Sequence, residues 1–168
     1  MLDEGVSPQK IDPKFRHHVI KMPGGENLLQ CFQCGTCTSD CPVARFNDKY
    51  RPRDIIRMAQ LGLKDKVLNS DFLWLCASCF TCTDRCPQGV EVASVIRVLK
   101  NMAAMEGRVP QVFKIQLGNI LKSGYVYEIP ESRVKKREML GLPPLPKGNV
   151  EGLRKSIQGL SIMKILEG

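Results

Sequence analysis

The strongest constraint on this chain is one stretch written twice. The first copy reads Cys31-x-x-Cys34-x-x-Cys37-x-x-x-Cys41-Pro42, and the second reads Cys76-x-x-Cys79-x-x-Cys82-x-x-x-Cys86-Pro87. Each cysteine and the proline recurs 45 residues on (31 to 76, 34 to 79, 37 to 82, 41 to 86, 42 to 87), and Thr36 and Thr38 recur as Thr81 and Thr83. The chain has 8 cysteines, so none lies outside the repeat. Any fold available to the chain must put these sulfurs to use.

Thiolate sulfur binds soft and borderline metals, and four thiolates around a centre suit zinc or an iron–sulfur cluster. Zinc sites usually pair C-x-x-C units at a distance. Three cysteines at i, i+3 and i+6 followed by Cys-Pro instead match the run of bacterial 4Fe-4S ferredoxins. In two-cluster proteins of that pattern the fourth cysteine of each run ligates the other cluster. By that pattern one cluster takes Cys31, Cys34, Cys37 and Cys86, and the other takes Cys76, Cys79, Cys82 and Cys41. Each loop then lends its last sulfur to its twin, which is why both copies are present. Pro42 and Pro87 restrict the backbone just after each lent ligand. A structural zinc module using the same eight sulfurs is the alternative of another class, binding a partner or nucleic acid. Thr36, Thr38, Thr81 and Thr83 are candidates to hydrogen-bond cluster sulfur, or are plain loop hydroxyls. His17 and His18 precede the motif, and the ligand sets are full without them, so an exposed helix position is expected. Trp74, with Leu73 and Leu75, is expected to shield the second site or to pack in the core.

No apolar run approaches the roughly 18 residues needed to span a membrane. The first thirty residues carry Asp3, Glu4, Lys10, Asp12, Lys14 and Arg16 with no apolar h-region, so no signal peptide is read. A cytoplasmic location is expected, where clustered cysteines stay reduced and serve metals rather than disulfides. The formal net charge of +8 counts the cysteines as neutral. Ionised as cluster ligands, they bring the loaded protein to about +4. The basic excess then offsets anionic clusters or forms a docking face, and no nucleic-acid role is expected. Neither a G-x-G-x-x-G nor a G-x-x-x-x-G-K-[ST] run occurs, so no dinucleotide or P-loop site is read. With every sulfur committed, nothing is left to bind a substrate-reducing centre.

The remaining signals are helical, and no alternating β pattern intervenes. Asp12-Pro13 reads as the start of a helix over Lys14 to Met22, stopped by Pro23-Gly24-Gly25. Pro52 opens a helix closed by Gly62, and residues 63–68 suggest another short turn. Ser70 reads as the cap of a helix over residues 71–75. Residues 91–106 carry apolar Val92, Val95, Ile96, Leu99, Met102 and Ala103 at helical spacing and end at Gly107. Another helix opens at Val109-Pro110 and stops at Gly124. Ser132 reads as the cap of a basic helix over 133–140, whose Arg133, Lys135, Lys136 and Arg137 form a solvated face or a patch for an acidic partner. Residues 142–146 read as a stiff Pro-rich linker, and Asn149 as the cap of a last helix to about residue 158. The tail over 160–166 is apolar and is expected to fold back or be covered by a partner. The organisation is an arm over 1–12, a helical two-cluster domain over 13–125, and a docking extension over 126–168. The fold class is all-α, with extended N- and C-terminal arms.

A helical connection between two cluster loops resembles the α-helical ferredoxin domain, as in the iron–sulfur subunits of succinate dehydrogenase and fumarate reductase. Those carry an additional N-terminal 2Fe-2S domain, for which this chain has no cysteines. The stretch Pro23-Gly24-Gly25-Glu26-Asn27-Leu28-Leu29, followed by Cys31-Phe32-Gln33-Cys34-Gly35-Thr36-Cys37-Thr38 and Cys41-Pro42, resembles the C-type subunit of heterodisulfide reductase. The resemblance is specific over about residues 13–107. It implies a non-catalytic electron relay between a flavin- and iron–sulfur-containing A-type subunit and a cysteine-rich catalytic B-type subunit. The latter reduces the mixed disulfide of coenzymes M and B in methanogenesis. It also implies a larger hydrogenase- or formate dehydrogenase-linked assembly. Related sulfur-oxidising or quinone-linked complexes are the alternative.

Overall fold

The computed structural model describes residues 11–163 and residue 165; the expected arm over 1–12 lies almost wholly outside these, as does the end of the apolar tail. Every regular element among the described residues is helical. The chain divides into two compact units, Met1–Arg108 and Val109–Gly168. The division falls where Gly107, at φ +72°, ends one helix and Pro110 precedes the next, whereas the sequence pattern suggests a boundary at 125/126.

The first unit contains α1 (Phe15–Ile20), α2 (Thr36–Ser39), α3 (Pro52–Leu61), α4 (Lys64–Leu68), α5 (Thr81–Asp84) and α6 (Val92–Met105). Single 3-10 turns, Leu28–Gln30 and Asp71–Leu75, lead into the two cysteine loops. The core is a mixed apolar cluster. Phe15 and Val19 of α1, Ile55, Ile56 and Ala59 of α3, Val67 and Leu68 of α4, and Val95, Ile96, Leu99 and Ala103 of α6 are all buried in it. Each large aliphatic side chain buried this way contributes about 1.5–3 kcal/mol. Helix α6 packs against α1, α3, α4 and α5 and is the beam on which the second loop rests, while the elements flanking the first loop pack on α3. Ion pairs from Lys64 Nζ to Glu106 Oε1 at 2.7 Å and from Arg108 to Asp65 at 3.1 Å tie the end of that beam to α4.

Two glycines are needed where they stand. A Cβ on Gly25 would lie 2.0 Å from the Val19 carbonyl oxygen, so only glycine lets the Pro23-Gly24-Gly25 turn press against the end of α1. Gly62 closes α3 at φ +77°, and a Cβ there would lie 2.3 Å from the Asp12 oxygen. The Asp12 N–H donates to the Gly62 carbonyl at 2.8 Å, fastening the chain before α1 to the end of α3.

Several expected helix starts differ in detail. Asp12 Oδ1 accepts from the Lys14 N–H at 2.9 Å, but the helix itself begins at Phe15. Ser70 is not a cap: its hydroxyl donates back to the Val67 carbonyl at 2.6 Å, and residues 71–75 form a 3-10 turn. In the second unit α7 (Gln111–Ser123), α8 (Glu131–Met139) and α9 (Val150–Ile157) follow. Helix α8 starts after Pro130, whose ring presets the turn, so Ser132 lies inside the helix rather than capping it. Asn149 does cap α9, its Oδ1 accepting from the Gly152 N–H at 2.8 Å. Helix α9 packs on α7, and Arg154 Nε donates to the Leu121 carbonyl at 2.9 Å. Residues 142–149 are extended between α8 and α9, and Arg133, Lys135 and Lys136 are exposed on α8.

Candidate metal centre

The two loops repeat in backbone as well as in sequence. Gln33 and Gly35 have φ of +67° and +91°, and their counterparts Ser78 and Phe80 have +52° and +62°. Two left-handed residues per loop fold each C-x-x-C-x-x-C tightly enough to turn its sulfurs toward one side. Glycine takes this conformation freely, whereas a bulky residue such as Phe80 pays about 1–2 kcal/mol for it. Each loop runs into a single helical turn, α2 or α5, and these two turns pack against each other.

The threonines divide by position. Thr36 Oγ1 lies 3.4 Å from Cys34 Sγ, and Thr81 Oγ1 lies 3.5 Å from Cys79 Sγ. Once the sulfur is ionised the hydroxyl is the donor, and this contact holds both thiols below their ordinary value. Thr38 and Thr83 also serve as acceptors for helices that begin later in the chain, Thr38 while its hydroxyl pairs with Cys37. Thr38 Oγ1 accepts from the Arg53 N–H at 3.0 Å, and Thr83 Oγ1 accepts from the Ala93 N–H at 3.2 Å. Those amides sit in the first turns of α3 and α6, where the helix itself supplies no acceptor. The cysteine turns are thereby locked to the two long helices.

Burial separates the sulfurs. Cys34 and Cys79 are exposed, whereas Cys37, Cys41 and Cys82 are buried. Burial pushes the Cys37 thiol up to about 11 against a hydrogen bond from Thr38, and charge on Cys31, Cys34 and Cys86 pushes the same way. Burial pushes the Cys82 thiol up to about 12, joined by charge on Cys76, Cys37, Cys41 and Cys79. Thus Cys86, distant in sequence, is an electrostatic neighbour of the first loop, and Cys41 of the second. Cys37 and Cys82 also face one another across the packed turns. Inner thiols this reluctant to ionise become thiolates only when a metal cation offsets their charge.

Cys41, Cys76, Cys79 and Cys82 line a single pocket. Its other walls are Val43, Tyr50, Pro52, Phe80 and Ala93 together with residues of the second loop. An all-sulfur donor set with largely apolar walls suits an iron–sulfur cluster. Trp74 does not wall this cavity. It is half-buried against the core, with Lys100 Nζ 5.9 Å from its ring centroid. Phe80 takes the covering position. His17 and His18 are exposed on α1, away from the core.

Four further contributors emerge only from the packing. Gln60 of α3 donates through Nε2 to the carbonyls of Leu28 and Cys31, at 3.1 and 2.9 Å, and braces the entry to the first loop. Gln33 Nε2 donates to Cys31 Sγ at 3.4 Å. The Val90 N–H donates to Cys86 Sγ at 3.3 Å. Tyr50, only 2% exposed, lines the same pocket as Cys76, and burial first, then the nearby Cys76 sulfur, holds its phenol far above the ordinary value. Only Gln33, inside the motif, is within reach of sequence inspection; Gln60 lies in the helix read from Pro52 to Gly62, but nothing local says that its amide reaches the first loop, and Tyr50 precedes that helix with no motif signal.

Residues 27–90, which hold both loops, match the family model described as a 4Fe-4S dicluster domain. The C subunit of the H(2):CoB-CoM heterodisulfide,ferredoxin reductase of Methanothermobacter thermautotrophicus is 39% identical over 136 residues, covering 81% of this chain and 72% of the relative. The chain belongs to the family of heterodisulfide reductase C subunits. The C2 subunit of the H(2)/formate:CoB-CoM heterodisulfide,ferredoxin reductase of Methanococcus maripaludis is 40% identical over 144 residues, 82% of this chain and 77% of the relative. The C subunit of the ferredoxin:CoB-CoM heterodisulfide reductase of Methanosarcina mazei is 35% identical over 142 residues, 84% of each chain. A member of this family with this domain is an iron–sulfur protein of the 4Fe-4S type and a part of a multisubunit complex. Among the described residues no helix is long and apolar enough to cross a membrane.

Proposed function

We propose that this chain is the electron-relay subunit of a heterodisulfide reductase complex and holds two 4Fe-4S clusters. The first is held by Cys31, Cys34, Cys37 and Cys86, and the second by Cys76, Cys79, Cys82 and Cys41. The observation that carries the reading is that the two cysteine runs, which together hold all eight cysteines, end in helical turns packed on each other, each run with one exposed and at least one buried sulfur. When bound, such clusters supply one-electron transfer. The protein's own residues do the rest. Cys34 and Cys79 bring each group to the surface, where a partner can approach. Cys37 and Cys82 bring the two groups together in the interior. Val43, Tyr50 and Phe80 keep water from the second group, and Thr36 and Thr81 stabilise the charge on the outer sulfurs.

The partners in this reading are a flavin- and iron–sulfur-containing A-type subunit and a B-type subunit that reduces the CoB–CoM heterodisulfide. The relatives' names support it. They share the CoB-CoM heterodisulfide and differ in donor, being hydrogen in one, hydrogen or formate in another and ferredoxin in a third. A component shared by complexes with different donors suits a relay between fixed neighbours. The test is purification from the source without oxygen. About eight irons and eight sulfides per chain, with A- and B-type subunits copurifying, are expected. Two zincs per chain, or a complex lacking a flavoprotein, overturn the reading.

A further inference from the structure

The two loops share a backbone but not their supply of hydrogen-bond donors. In the first, the donor to the leading cysteine comes from inside the loop, from Gln33 Nε2 to Cys31 Sγ. The counterpart of Gln33 is Ser78, which has the same left-handed backbone but no amide. In the second loop the candidate donor to the leading cysteine, Cys76, comes from elsewhere. Tyr50, in the connection before α3, lies with Cys41, Cys76, Cys79 and Cys82 in the wall of one pocket, and after burial it is the Cys76 sulfur that most holds its phenol above the ordinary value. The Tyr50 side chain is 2% exposed and belongs to the core cluster.

We propose that Tyr50 is the residue that sets the reduction potential of the second centre, by donating its hydroxyl hydrogen bond to Cys76 Sγ. Reduction adds one negative charge to a centre that is already anionic. A donor aimed at ligand sulfur stabilises the reduced form more than the oxidised form, and so raises the potential. The effect is larger in a dry site, where the dipole is less screened. The phenol is fixed by core packing, so its bond does not fluctuate as a surface hydroxyl's would. The Gln33 amide plays the corresponding part for the centre that contains Cys31. The potentials of the two centres are therefore set independently, by one side chain within a loop and another from the connection between loops. This inference rests on the cluster reading above but needs only that Cys76 is a ligand.

The experiment is a redox titration of the anaerobically purified complex, followed by EPR, with iron and sulfide counted in each sample. Tyr50→Phe is expected to keep full iron and to lower the centre containing Cys76 alone. The reduced-to-oxidised ratio at a fixed ambient potential should fall roughly tenfold, about 59 mV for a one-electron couple. Gln33→Met is expected to lower only the other centre. Cys76→Ser identifies which signal belongs to Cys76, and Cys41→Ser separately tests the crossed ligand set. A crossed set that fails leaves the Tyr50 result readable against the Cys76 signal. Protein carrying 3-fluorotyrosine in a Tyr125→Phe, Tyr127→Phe background supplies a stronger donor at position 50 without deleting it. That protein is expected to show the Cys76 centre raised, and it decides the matter if Tyr50→Phe loses iron. Unmoved potentials in the fluorinated protein, or equal shifts of both centres in Tyr50→Phe, overturn the proposal.

Discussion

Replacing Thr83 with valine isolates the bond between the second cysteine loop and α6. The side chain keeps its shape but loses the oxygen that accepts from the Ala93 N–H at 3.2 Å. Ala93 is only 6% exposed, so water does not replace the lost acceptor. Removing a helix cap costs about 0.5–2 kcal/mol, and leaving a buried donor unpaired costs about 1–3 kcal/mol. These describe the same lost bond, so they are not added, and about 1–2 kcal/mol is expected. For a unit of this size each kcal/mol lowers Tm by about 4–8 °C, which puts the expected fall at about 4–16 °C. Thr38→Val removes the matching bond to the Arg53 N–H at 3.0 Å. Arg53 is exposed, so water can pair with that amide, and about 0.5 kcal/mol or less is expected. Thr81→Val touches only Cys79 at the surface and should leave Tm nearly unchanged. Thermal unfolding of the cluster-loaded protein without oxygen, read by circular dichroism and by visible cluster absorbance, compares the three. Equal losses in Thr83→Val and Thr38→Val would refute the argument from burial. A loss in Thr81→Val as large as in Thr83→Val would refute the assignment of the stabilising acceptor role to Thr83 and not to Thr81.

Cys86→Ser should remove the cluster of the first loop, leaving about four irons per chain and the EPR signal of the second-loop centre; loss of that signal instead contradicts the crossed assignment. Gly62→Ala should cost about 2–3 kcal/mol in denaturant unfolding, combining the left-handed backbone at φ +77° with displacement of the Asp12 oxygen 2.3 Å from the new Cβ. Gly107→Ala, at φ +72° with nothing within 4 Å, should show only the backbone part, and equal costs would sink the steric reasoning. Stripped of iron, the folded chain binds protons at Cys37 and Cys82 more tightly than the unfolded chain does, since burial raises them from 9.0 to about 11 and about 12. That contribution to stability is complete below about pH 9 and is lost as pH rises toward 11 and 12, so the metal-free midpoint should fall over this window. A midpoint that rises there has the wrong sign. In the complex, hydrogen exchange over residues 142–163 should slow relative to the isolated chain if the extension docks on a partner, and unchanged exchange counts against docking.

Periodicity is a local property, and the helices were legible for that reason. Residues 92–105 form a helix because their apolar side chains recur on one face, and Gly62 and Gly124 end α3 and α7 because both adopt positive φ. Capping was less legible where two local signals compete. Pro130 starts α8 ahead of Ser132, and Ser70 spends its hydroxyl on Val67. A serine near a helix start has several backbone partners within reach, and composition does not choose among them.

The sequence by itself determined the metal chemistry: eight thiols in two runs of one spacing admit few uses, and ligand type and spacing are written in the chain. The repeated threonines also pointed to paired roles, without saying which pair did what. Only the tertiary structure decided that Thr36 and Thr81 pair with the outer sulfurs while Thr38 and Thr83 accept from the first turns of α3 and α6. It alone brought Tyr50 to Cys76 and Gln60 to the first loop. The physical reason is distance along the chain. A ligand run is specified by neighbours a few residues apart, which backbone geometry places directly. A donor dozens of residues away reaches its sulfur only because α3 and α6 pack into one core, and no local pattern records that meeting.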